Sequence, residues 1–160
     1  MDQADQQSSD HMKWGERLEA ALTRLDATLE DLSADERDWA PDLGIGSAVE
    51  HVLQIAISAR RLRRRLEASF ESVRVDEGSL RPDYTETLLM LKSCHTSILG
   101  QLKDGSAFSN GNTPAAEDRE EFIFEHLSAM AHHLACVALL QQLIDPSRQS
   151  ALECGPPILV

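Results

Sequence analysis

EHLSAMAHHLACVALLQQL, residues Glu125 to Leu143, decides the fold. It reads as a long apolar helical segment that sets His126, His132, His133 and Cys136 among residues expected to be buried. One helical stripe runs through Phe122, Glu125, Ala129, His132, Cys136, Leu139 and Leu143, and a neighbouring one through His126, Met130, His133, Val137, Leu140 and Ile144. His132 and Cys136 therefore share a face, side by side at a spacing of i and i+4, as paired metal ligands do on the helices of a bundle. His126 and His133 fall on the next stripe. The longest uninterrupted apolar run, Leu134 to Leu140, is too short to cross a bilayer.

Outward from that stretch the chain divides into further helical segments. Before it, Pro114 opens the helix and the acidic residues between Glu117 and Glu121 suit its positive N-terminal end. After it, Asp145-Pro146 stops the helix, and the tail to Val160 reads as extended. Upstream, Asp83 and Glu86 form a capping pattern for a helix reaching about Lys103, with Tyr84, Leu88, Leu91, His95, Ile98 and Leu102 on its buried face. His95 reads there as a core or rim histidine rather than a ligand. Ser47 and Glu50 cap a helix carried by Ala48, Val52, Ile55, Ala59, Leu62, Leu66 and Phe70 to about Ser72. The first helix spans roughly Lys13 to Leu32. The segment Ser33 to Gly46 reads as a loop packed over one end, with Trp39 as a lid on the core.

The fold expected is all-α: residues 1–12 a disordered tail, 13–145 a four-helix bundle and 146–160 an extended tail. The link from Ser72 to Pro82 is long enough to run the length of a twenty-residue helix, about 30 Å, so the second and third bundle helices can start at the same end.

Composition narrows the function classes. A formal charge of -12 repels nucleic-acid backbones and anionic membranes, so neither is an expected partner. Three cysteines, Cys94, Cys136 and Cys154, form no even disulfide framework and suit a reducing cytoplasm, and the polar, acidic N-terminus lacks the pattern of a secretory signal. Arg60, Arg61, Arg63, Arg64 and Arg65 gather on one helix either as an acidic-partner patch or as a solvated face pairing with the protein's own carboxylates. The approach Gly44-Ile45-Gly46-Ser47 could cradle a phosphate, but it lacks a preceding strand or a Lys and reads as a loop ending in a cap. The sequence contains no Gly-x-Ser-x-Gly elbow, Walker loop, CxxC or HExxH.

From Trp14 to about Ile144 the chain resembles the DinB/YfiT-like superfamily. The resemblance is carried by Trp39 and Pro41 in DWAP, the Gly-Ser-Ala-Val-Glu-His opening of the second bundle helix, the length and order of the helices, and AHHLACVALLQQL. It implies an up-down-down-up bundle. It also implies a divalent metal held by one His near the start of the second bundle helix and a His-x-x-x-His pair on the fourth, in proteins some of which are thiol-dependent transferases or isomerases. Carried over, the pair falls on His132 and Cys136, with Cys in place of the second His. The remaining ligand falls on His51 in one register and on Gln54 in another.

These departures leave three readings. The chain is a bundle whose metal site is degenerate and non-catalytic, self-associating as a homodimer through an apolar helix face and holding no cofactor. Alternatively, His51, His132 and Cys136 hold a divalent ion, Zn or Ni, that activates water or a small thiol in an enzyme of thiol-transferase or isomerase/hydrolase type. His133 or His126 would then serve as acid or base. The third reading is a module that binds an acidic partner through Arg60 to Arg65.

Overall fold

A computed structural model describes residues 3–67, 83–105, 107 and 116–147, and side chains from Met12 in the first helix and from Asp118 in the last. The regular structure of the described residues is all helical: α1 (Gln3–Glu30), α2 (Ala34–Asp38), α3 (Ala48–Glu67), α4 (Tyr84–Lys103) and α5 (Ala116–Ile144). The continuation of α3 toward Ser72, the link from Ser72 to Pro82, the Gly-, Ser- and Asn-rich loop before α5, and Cys154 with most of the C-terminal tail lie outside the described residues.

Helix starts are fixed where the capping residues stand. At α3, the Ser47 N–H donates to Glu50 Oε2 at 2.8 Å while Ser47 Oγ accepts from the Glu50 N–H at 3.3 Å. At α4, Asp83 Oδ1 accepts from the Glu86 N–H at 2.7 Å and Glu86 Oε2 accepts from the Asp83 N–H at 3.2 Å. Each box satisfies two backbone donors that a helix start leaves unpaired. Asp145 and Pro146 follow the end of α5 as expected. The carboxylate of Glu50 also fills the space before α3: a Cβ on Gly46, whose φ is +85°, would lie 2.6 Å from Glu50 Oε2. The anion at this N-terminus is thus the protein's own, which removes the phosphate-cradle reading.

Two expectations are corrected. The stretch read as a loop contains α2, begun by its own capping box between Ser33 and Glu36. Five residues with none buried show no apolar period, so only the cap could have revealed this helix. Trp39 is not a lid: it ends α2 and stays 38% exposed. Arg37 takes the contact instead, stacking its guanidinium 4.4 Å from the centre of the Tyr84 ring at the start of α4. The backbone of α1 is also helical for eleven residues before the apolar period begins at Trp14, since a helix already nucleated by packing propagates at little cost.

Helix α3 packs against α5 and α4, and α1 packs against the same two. Lys103 at the end of α4 pairs with Glu19 near the start of the packed part of α1, while Arg37 just past α1 meets Tyr84, so α1 and α4 run antiparallel. His51 opposite His133 and Arg65 opposite Glu125 set α3 antiparallel to α5. Leu25, Ile55, Leu66, Ile98, Ile123 and Met130 meet in one core, and Leu32, Ala48, Val137 and Leu140 close the end where α3 begins. Burying each such side chain contributes on the order of 2 kcal/mol. The part of α5 from Asp118 to Ile144 has the length and hydropathy of a membrane-crossing helix, a property it shares with core helices, and Met130, Val137 and Leu140 are packed in this core.

Candidate functional site

The apolar pattern of α5 continues nearly all the way round, so packing partners decide its rotation. The second stripe is the inner one: His126, Met130, Val137 and Leu140 are buried, and His133 is partly buried. The first stripe faces outward, with Glu125, His132, Leu139 and Leu143 exposed and Cys136 half-buried. The expectation that His132 and Cys136 stand among buried residues is thereby corrected. Glu125, drawn out to Arg65 at 2.9 Å, marks that stripe as the solvent side.

On α3 the register question has a definite answer. His51 is buried and faces α5, whereas Gln54, three residues on, is exposed. Three residues bring a helix round to about 60° short of a full turn, which is enough here to carry Gln54 off the edge of the seam into solvent. His51 does not meet His132, however. Its Nδ1 lies 2.9 Å from Nδ1 of His133, with ring centroids 5.2 Å apart. Two turns further along, Ser58 Oγ lies 2.8 Å from His126 Nδ1. From α4, His95 reaches across the core to place its Nε2 2.9 Å from His126 Nε2.

The seam therefore holds two polar contacts in an apolar wall, His51 with His133 and Ser58 with His126 and His95, with Met130 buried on the helix between them. The spacing explains the match. His51 and Ser58 are seven residues apart on one helix, His126 and His133 seven apart on its antiparallel neighbour, so both pairs fall into register two turns apart. That shared spacing was the signal available in the sequence, and it singles out His126 and His133 rather than His132 and Cys136.

Burial sets the protonation of these rings. His95 is pushed down to about 4 by desolvation, and His126 to about 3 by desolvation with a smaller contribution from His95. Both are neutral at pH 7. One Nε2 of the pair must then carry the hydrogen that the other accepts, and the Ser58 hydroxyl donates to or accepts from His126 Nδ1 according to that choice. His133 is lowered by burial and by His51 and His132; His51 is lowered chiefly by burial, against smaller raising contributions from the Ile45 backbone and Glu50. Among the described residues, no partner meets the buried Nε2 of His51 in hydrogen-bonding geometry. Neutral, linked imidazoles of this kind can pass a proton along a chain or hold a core in register.

The carried-over residues come close without converging. His132 Nε2 is 3.9 Å from Cys136 Sγ on the outer side of α5, and the His132 ring meets the His133 ring edge-on at 5.0 Å between centroids. Among the described residues no group of three or more His, Cys, Asp and Glu side chains is gathered for an ion. His51 and the pair on α5 are held apart by His133, which occupies the position between them.

Other candidates resolve differently. In the arginine run, Arg63 pairs with Glu67 at 3.4 Å, and Arg65 pairs with Glu125 while stacking over Phe122 at 4.3 Å. These contacts go to the protein's own carboxylates. A groove of about 700 Å³ lies between α1 and α4, floored by Leu22, Leu25, Leu29, Leu88, Leu91 and Leu99, with His95 in its wall. Arg119, a charged residue the helix pattern did not distinguish, is buried and donates to the carbonyl of Ala107. Set against known proteins, the chain matches no family model, no curated protein and no solved structure.

Proposed function

We propose that this chain is a DinB/YfiT-like bundle of α1, α3, α4 and α5 in up-down-down-up order, with a degenerate metal site and without metal-dependent catalysis. In this reading it acts in the cytoplasm as a homodimeric, non-catalytic helical module. The observation that carries it is the direct contact of His51 Nδ1 with His133 Nδ1 at 2.9 Å. His51, the buried one of the two residues on which the family's remaining ligand can fall, spends the nitrogen that faces α5 on another ring. The two residues aligned with the family's pair stand on the outer stripe, and Gln54 is exposed. The antiparallel pairing of α1 with α4 and of α3 with α5 supports the bundle order.

The competing enzyme reading needs His132 to turn inward beside Cys136 and displace His133 from His51. Elemental analysis of untagged protein separates the two. The degenerate-site reading expects no metal that depends on His51. One equivalent of Zn or Ni per chain, lost in His51→Ala, would overturn it.

A further inference from the structure

We propose that His132 and Cys136 of two copies of this chain meet across a two-fold axis and form a tetrahedral Cys2His2 zinc site that clasps a homodimer. The inference rests on the homodimer reading above and adds what holds the dimer together.

Three observations lead to it. The first is geometric. His132 Nε2 and Cys136 Sγ lie 3.9 Å apart, already turned toward one another on successive turns of α5. Two ligands of one tetrahedral zinc, at the usual Zn–N and Zn–S bond lengths, stand about 3.6 Å apart. Closing the remaining gap takes a small change in side-chain torsions and no movement of the backbone.

The second is that the set is half of a site. Tetrahedral structural zinc takes four protein ligands, and one chain offers two here, since His133 is engaged with His51 and no third candidate converges among the described residues. A two-fold axis repeats the same patch on both partners, so two ligands per chain become four without any further residue.

The third is the surface around the pair. The protein carries a formal charge of -12, and a second copy is repelled by most of its surface. From Leu127 to Ile144, however, α5 contains no Asp, Glu, Lys or Arg. Leu139 and Leu143, 43% and 45% exposed, continue the His132–Cys136 stripe toward the helix end. Ala129 and Ala135 beside the pair are small enough to let two helix backbones approach closely. A second copy that docks along this stretch meets no charged side chain of α5, and burying its leucines adds to the association.

On binding, each Cys136 thiol releases its proton to solvent and coordinates as thiolate, while each His132 binds as the neutral ring. Two thiolates balance the charge of the zinc ion, so the closed site is neutral on a stretch of α5 that carries no charged side chain.

The test uses the full, untagged chain in a phosphine reductant, so that no Cys136 disulfide forms, with zinc chloride or EDTA added. Sedimentation velocity is expected to show a dimer in zinc whose dissociation constant rises at least tenfold in EDTA, with half an equivalent of zinc bound per chain. Cobalt(II) in place of zinc is expected to give the strong visible d–d absorption of a tetrahedral centre with thiolate ligands. Cys136→Ser and His132→Ala should abolish zinc binding and the EDTA sensitivity, Leu139→Glu should weaken the dimer in zinc, and His51→Ala and Cys94→Ser should leave the zinc bound. A dimer that holds no zinc and ignores EDTA overturns the clasp and leaves the homodimer reading standing. A monomer with or without zinc overturns both, and one zinc per chain that requires His51 overturns both in favour of an internal site.

Discussion

Acid should unfold this protein earlier than its carboxylates alone would dictate, because two buried imidazoles must stay neutral in the fold. In the unfolded chain His95 and His126 titrate at the ordinary 6.5; in the folded chain burial holds them at about 4 and about 3. A histidine with a depressed folded value binds more protons unfolded than folded between those limits, so stability falls as pH falls below about 6.5. Each pH unit in that window removes about 1.4 kcal/mol per group. Between pH 7 and pH 5 the two together remove roughly 4 kcal/mol, a large share of the 5–15 kcal/mol typical of a domain. His51 and His133 are shifted in the same direction and add to the loss. The assay is urea unfolding at pH 7 and pH 5 of the wild type and of the double variant His95→Gln, His126→Gln, in which the amides keep hydrogen-bonding capacity and do not titrate. The wild type should lose roughly 4 kcal/mol more between the two pH values than the variant, whatever stability the variant has at pH 7. Equal pH losses in the two proteins would refute the burial argument.

Four further outcomes follow from backbone conformation, packing and capping. Gly46→Ala meets both a positive φ and the Glu50 carboxylate, which must leave the Ser47 N–H to make room, so it should cost about 2–3 kcal/mol by thermal unfolding; Gly44→Ala, with open space around it, should cost about 1 kcal/mol. Met130→Ala empties a fully buried position between the two histidine contacts and should cost about 2–5 kcal/mol by chemical denaturation. Asp83→Ala removes the cap of α4 and should cost about 1 kcal/mol, with faster amide exchange in the first turn of that helix as the local readout.

What was legible in the sequence is what local chemistry controls. Ser47 with Glu50 and Asp83 with Glu86 mark helix starts because the capping side chains are themselves the marker, and Pro146 marks the end of α5 because it cannot continue a helix. The rotation of α5 was not legible. A helix apolar on nearly every side presents no single stripe for the core to select, and α3 chooses by offering His51 and Ser58 at a seven-residue spacing that His133 and His126 match. The adjacent pair His132–His133 deepens the ambiguity, since either rotation places an imidazole at the seam. On α3 the apolar stripe is clear, and His51 lies with it while Gln54 does not. His95 was legible as a buried residue but not as a bonded one, because its partner comes from another helix, 31 residues away in sequence.

That doublet has a thermodynamic consequence. His132 faces outward and His133 inward, yet their rings touch, and positive charge on His132 lowers the proton affinity of both His133 and His51. Linkage is reciprocal: a metal cation held at the outer ring makes the inner pair harder to protonate, and acid that protonates the inner pair weakens the hold on that metal by the same factor. Two neighbouring residues on one helix thus join the buried ring of His51 to the solvent-facing side of α5, and the quantity they exchange is charge.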